Sequence, residues 1–123
     1  MLSHFEQILK NHKILVSYNG DTFDIPYLLK KMEQFDVDTT LDNIQSVDIY
    51  RTTRKYKKLL RLDSAKQFDI EHLIDFQRNT FISGGDLISA YKHYLSSHDE
   101  SLLDDMLTHN HDDIRGLYLY LNL

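Results

Sequence analysis

The chain has 123 residues, 41% of them hydrophobic, with eight tyrosines and six phenylalanines; this is a one-domain length with material for one modest core, and it excludes intrinsic disorder. Cysteine is absent and no apolar run approaches a membrane span or a signal-peptide core, which excludes a disulfide scaffold and a thiolate metal site and leads us to expect a soluble, cytoplasmic protein. The net charge of −5 taken whole is not that of a nucleic-acid binder, so any basic surface must be local.

Residues 2–11 place Leu2, Phe5, Ile8 and Leu9 at helical spacing. Ile14, Leu15 and Val16 then form a short β-rich run closed by Asn19-Gly20, read as a buried strand meeting a turn. Asp21 or Thr22 is the expected cap of a helix running to about Phe35, with Ile25, Leu28, Leu29 and Met32 inward. Pro26 fits only in its first turn, where a missing N–H is harmless. A second strand is expected in Ser46–Tyr50.

Between Arg51 and Arg61 stand Arg51, Arg54, Lys55, Lys57, Lys58 and Arg61 with no acidic residue, leaving eight basic against 19 acidic residues elsewhere. A loop followed by a short helix is expected there. An acidic body with one basic strip suits an enzyme that holds cations in one place and phosphates in another; a solvated charged turn accounts for the same residues. Asp69–Phe76 reads as a short amphipathic helix. Asp86 is the expected cap of the next, with Leu87, Ile88, Tyr91, Tyr94 and Leu95 on one face. Ser101 to about Leu121 reads as the longest helix, striped by Leu103, Leu107, Asn110, Ile114, Leu117 and Leu121. This order makes the chain α/β, although two visible strands are few for a stable sheet.

Two constellations carry possible chemistry. Asp24 stands in the first turn of a helix just past a strand, where α/β sheets bind ligands; offsetting the helix dipole is the plainer reading. His109 and Asp113 are four apart and so share a helix face. They suit a proton-transfer pair near a metal-bound water, or a surface pair. His111 and Asp112 point elsewhere and are expected to be solvated. The seven histidines lack the paired spacing of zinc sites.

The segment NGDTFDIP resembles the second motif of the DEDD 3′–5′ exonucleases as found in family B DNA polymerase proofreading domains. HNHDDIRGL resembles the third motif of the YprB-like branch of RNase H-like proteins. SVDIYR, the basic strip, the Ser-Gly-Gly break and the Tyr-x-x-Tyr-Leu helix follow that branch too. The resemblance covers roughly residues 12–121. It implies a partial RNase H-like α/β fold, few strands flanked by helices, and metal-dependent trimming of DNA or RNA ends. Asp24 and Asp113 would be two of four carboxylates around two Mg²⁺ or Mn²⁺ ions, with at most one ion expected here. His109 would orient or deprotonate the attacking water. Asn19 and Phe23 would position a terminal nucleotide, and Arg51, Arg54, Lys55, Lys57 and Lys58 the backbone of single-stranded or 3′-end nucleic acid.

The family's first motif, Asp-x-Glu on a central strand, has no counterpart before Asp24. Asp69-Ile70-Glu71 spells it, but in a helical pattern that marks it as a decoy. The expectation is therefore one truncated domain without its N-terminal β-hairpin, inactive alone and prone to homo-oligomerise by strand or helix swapping. The main alternative is a catalytically inactive module that binds nucleic acid or protein; a small helical interaction protein with an accidental motif match is a third.

Overall fold

A computed structural model describes residues 1–80 and 82–122. The chain is α/β: among the described residues, six helices accompany a two-stranded parallel sheet. It divides into two compact units, Met1–Lys66 and Gln67–Leu123.

In the first unit, α1 (Leu2–Leu9) leads into β1 (Ile14–Ser17), α2 (Asp24–Gln34), β2 (Gln45–Asp48) and α3 (Ile49–Tyr56). The strands pair in register, Ile14 opposite Gln45 through Ser17 opposite Asp48. Both carboxyl ends therefore lie level, and α2 supplies the crossover that a parallel pair requires. The core forms around Leu9, Met32 and Leu41, with Leu2, Phe5, Leu15, Ile25, Leu28 and Leu29 packed against it. This is the expected inner face of α2. Burying Met32 completely contributes roughly 1.5–3 kcal/mol. Glu6 is buried beside this core and accepts bonds from the Thr39 hydroxyl (2.7 Å) and from the Thr40 backbone N–H (2.8 Å) and hydroxyl (2.9 Å). Those bonds tie α1 to the segment before β2.

Several local expectations are corrected. Strand β1 is only partly buried and Ile14 is half exposed, because a single neighbouring strand covers it among the described residues. Helix α2 begins at Asp24 with Phe23 as its uncapped N-cap residue. Asp21 does not cap it, because that carboxylate is engaged by Ser46 and Arg51. The second strand stops at Asp48, whose carboxylate caps α3 by accepting from the Tyr50 N–H. The basic strip is consequently helix first, with Arg51, Arg54 and Lys55 on α3, and turn afterwards.

The second unit holds α4 (Gln67–Leu73), α5 (Gly84–Ser97) and α6 (Glu100–Leu121). Ser83, rather than Asp86, caps α5: its hydroxyl oxygen accepts from the Asp86 N–H at 3.1 Å, and Asp86 lies in the first turn. The anticipated apolar stripe of α6 is not its inner side. Leu107, Ile114 and Leu121 are exposed, whereas Asp112 and Gly116 are buried. Polar anchoring overrides hydrophobic periodicity here. A Cβ placed on Gly116 would stand 2.5 Å from Glu71 Oε1, so the absent side chain is what lets Glu71 lie against α6.

Candidate active site

At the carboxyl ends of β1 and β2, the loop after β1 is folded around Asp48. Its Oδ1 accepts the Asn19 N–H at 2.7 Å and its Oδ2 the Asp21 N–H at 3.2 Å. The same Oδ1 takes the Tyr50 N–H at 3.1 Å. One buried carboxylate thus fixes the start of α3 and the loop leading to α2. Asn19 adopts the left-handed conformation, φ 62°, which asparagine tolerates better than most residues. Behind it, the Asp21 carboxylate receives the Ser46 hydroxyl at 2.5 Å and the Arg51 guanidinium at 3.1 Å.

Asp24 is exposed at the N-terminus of α2 beside exposed Phe23. The structure therefore gathers Asn19, Phe23 and Asp24 on one short loop-to-helix segment at a strand end. Of the basic residues, Arg51 is occupied by Asp21, and the Lys55 ammonium lies 5.2 Å from the centre of the Tyr56 ring. Arg54 and Lys58 are exposed and Lys57 is half-buried. Asp48 was not singled out from the sequence. The available signal was its place as the last residue of a strand directly before a helix, the N-cap position.

In the second unit, His109 and Asp113 do face one another on α6, with His109 Nε2 3.4 Å from Asp113 Oδ2. The other oxygen, Oδ1, accepts from Arg78 Nη2 at 2.7 Å. Arg78 also grips Glu71 with two bonds, Nε to Oε2 at 2.6 Å and Nη2 to Oε1 at 2.7 Å. Gln67 Nε2 donates to Glu71 Oε1 at 3.0 Å and to the Asp113 carbonyl at 2.7 Å. Desolvation works against the Arg78 charge, but the hydrogen bonds to Glu71 and Asp113 outweigh it and hold the guanidinium above its ordinary pKa. His109 Nδ1 is buried with no hydrogen-bond partner among the described residues.

Asp112 is not solvated as expected but fully buried. Its Oδ2 accepts the backbone N–H groups of Asn79 (2.8 Å) and Thr80 (2.9 Å), and its Oδ1 takes Asn79 Nδ2 at 3.2 Å. The adjacent carboxylates of α6 thus have different tasks, since neighbours on a helix point about 100° apart. His111 is exposed, as anticipated. Asp69-Ile70-Glu71 lies in α4, the helix its pattern predicts, with Glu71 committed to Arg78.

Asp24 and Asp113 offer the hard oxygen donors that Mg²⁺ or Mn²⁺ takes, and both are accessible: Asp24 is exposed and the Asp113 side chain is 39% exposed. Among the described residues, no group of three or more histidines and carboxylates is assembled to hold a metal ion. No helix among them is long and apolar enough to cross a membrane.

Comparison with known proteins agrees with this α/β arrangement. A stretch of the chain is 33% identical over 73 residues to DNA polymerase 1 of Aeropyrum pernix, covering 59% of this chain and 7% of that protein. Another is 46% identical over 39 residues to a DNA polymerase of Thermococcus aggregans, covering 30% of this chain and 2% of that protein. The chain thus spans less than a tenth of the length of either relative. No solved structure matches. A family profile described as the RNase_H superfamily matches residues 1–122, and the chain belongs to that superfamily, carrying an α/β arrangement consistent with a partial RNase H-like fold.

Proposed function

We propose that this chain is a metal-dependent 3′–5′ exonuclease domain acting on DNA or RNA ends. Membership of the superfamily and similarity to two DNA polymerases support a nuclease-type domain. The observation that carries the finer reading is the His109–Asp113 pair, an imidazole nitrogen 3.4 Å from an accessible carboxylate on α6. Asp24 and Asp113 are the carboxylates that would hold Mg²⁺ or Mn²⁺, which supplies Lewis acidity and positive charge beside the phosphodiester. His109 orients the attacking water or accepts its proton. Asn19 and Phe23 engage the terminal nucleotide, by hydrogen bonding and by packing. The basic residues from Arg51 to Lys58 follow the phosphate backbone of a single strand or 3′ end.

The grip of Arg78 on Asp113 Oδ1 favours a second reading, in which the module binds nucleic acid without cutting it. Mn²⁺ titration separates the two, because a chain that carries only the second and third motifs is expected to be inactive alone. The exonuclease reading expects Mn²⁺ binding that disappears in Asp24→Asn and in Asp113→Asn. Oligonucleotide binding with no Mn²⁺ binding in the unsubstituted chain leaves the second reading standing.

A further inference from the structure

Asp113 is held from a direction that the two motifs do not contain. The segment carrying Arg78 lies beyond the end of α4 and is anchored to both α6 and α4. Asp112 binds the next two backbone N–H groups, those of Asn79 and Thr80, and the Arg78 side chain runs back to Glu71 and Asp113. Glu71 is buried, and the bidentate fork of Arg78 is what compensates it. Gly116 leaves the space that Glu71 fills. The guanidinium is therefore a built part of the unit, not a surface arginine that happens to touch a carboxylate.

From this geometry we infer that Arg78 is a resident counter-cation for Asp113, a positioning residue that occupies Oδ1 and leaves Oδ2, the oxygen 3.4 Å from His109 Nε2, as the one offered to a divalent ion. The inference rests on the reading of Asp113 as a metal-holding carboxylate. Two carboxylates against one guanidinium leave the Glu71–Arg78–Asp113 cluster with a single negative charge. That surplus still attracts a cation. The guanidinium nevertheless repels a cation arriving on the same carboxylate, and it prevents Asp113 from binding through both oxygens. Asp113 is thereby kept oriented and partly compensated before any metal arrives, at the cost of metal affinity.

The test is Mn²⁺ titration of the full chain, followed by electron paramagnetic resonance of the free ion, with far-UV circular dichroism to confirm folding. Four proteins are compared: unsubstituted, Asp113→Asn, Arg78→Lys, and the double variant Glu71→Gln with Arg78→Met. The double variant removes one charge of each sign, so the cluster keeps its net charge and no buried carboxylate is left unpaired. It is expected to bind Mn²⁺ more tightly by on the order of tenfold, because Oδ1 is released and the local repulsion is gone. Arg78→Lys keeps the charge but lacks the fork, and an increase of about threefold is expected.

A folded double variant that binds Mn²⁺ no more tightly than the unsubstituted chain overturns the inference. So does the absence of binding in all four. Should the double variant not fold, Arg78→Lys decides, and unchanged affinity there overturns it. Asp113→Asn separates this outcome from failure of the underlying reading. If Asp113→Asn leaves Mn²⁺ binding intact, Asp113 is not a metal carboxylate. If it abolishes binding while the Arg78 variants change nothing, only the role of Arg78 is lost.

Discussion

Asp48 Oδ1 accepts the backbone N–H of Asn19 at 2.7 Å across 29 residues of sequence, and that bond ties the loop after β1 to the end of β2. The same carboxylate caps α3 and takes the Asp21 N–H. Asp48→Ala leaves three N–H groups without their acceptor and is expected to destabilise the first unit by about 2–4 kcal/mol, with Asp48→Asn costing less. Urea unfolding checks the magnitude. Unchanged stability in Asp48→Ala would show that water replaces the carboxylate at no cost.

Asp112 has the corresponding position in the second unit. Its removal in Asp112→Ala strands the N–H groups of Asn79 and Thr80, the latter at a buried residue. A loss of about 2–4 kcal/mol is expected. Because that segment carries Arg78, amide exchange should accelerate at residues 77–80 beyond the change in α1 and α2. Equal acceleration throughout would mean that Asp112 anchors nothing locally.

Glu6 sets a pH dependence. The Thr39 hydroxyl is the largest influence, burial opposes it, and bonds from Thr40 add to it; together they hold Glu6 below the usual glutamate value of 4.5. A lowered folded-state pKa means that the ionised form is stabilised by folding. That contribution is fully present above about pH 4.5 and is lost as pH falls through the lower folded-state value. Glu6→Gln should therefore flatten the acid limb of stability between pH 5 and pH 3, measured by thermal melting at several pH values. An acid limb as steep as that of the unsubstituted chain would assign it to other carboxylates.

The basic strip makes its own forecast. Arg54, Lys55 and Lys57 lie on or just after α3, and each phosphate neutralised on a single strand contributes roughly −0.7 to the log–log salt slope. Reversing all three to glutamate should weaken oligonucleotide binding and make the slope shallower by about 2. Fluorescence anisotropy at several salt concentrations measures both. Binding with an unaltered slope would identify the strip as a solvated turn.

Much of the architecture was legible before the structure because its signals are local. Helical spacing of Leu2, Phe5 and Leu9, the β-rich run Ile14–Val16, and the inward face Ile25, Leu28, Leu29 and Met32 each depend on residues a few positions apart. The pairing of His109 with Asp113 follows likewise from four residues on a helix. What tertiary structure decided was which polar groups are buried and by whom they are held. Asp112 and Asp113 are neighbours of the same type, yet one is sealed against the backbone of residues 79–80 and the other meets Arg78 and His109. Asp48 became the organiser of the first unit, and Leu107, Ile114 and Leu121 were left exposed although their spacing marks a core face. Such outcomes turn on hydrogen bonds between residues tens of positions apart, and a buried carboxylate is stable only where distant donors converge on it; no local pattern of residue types records that convergence.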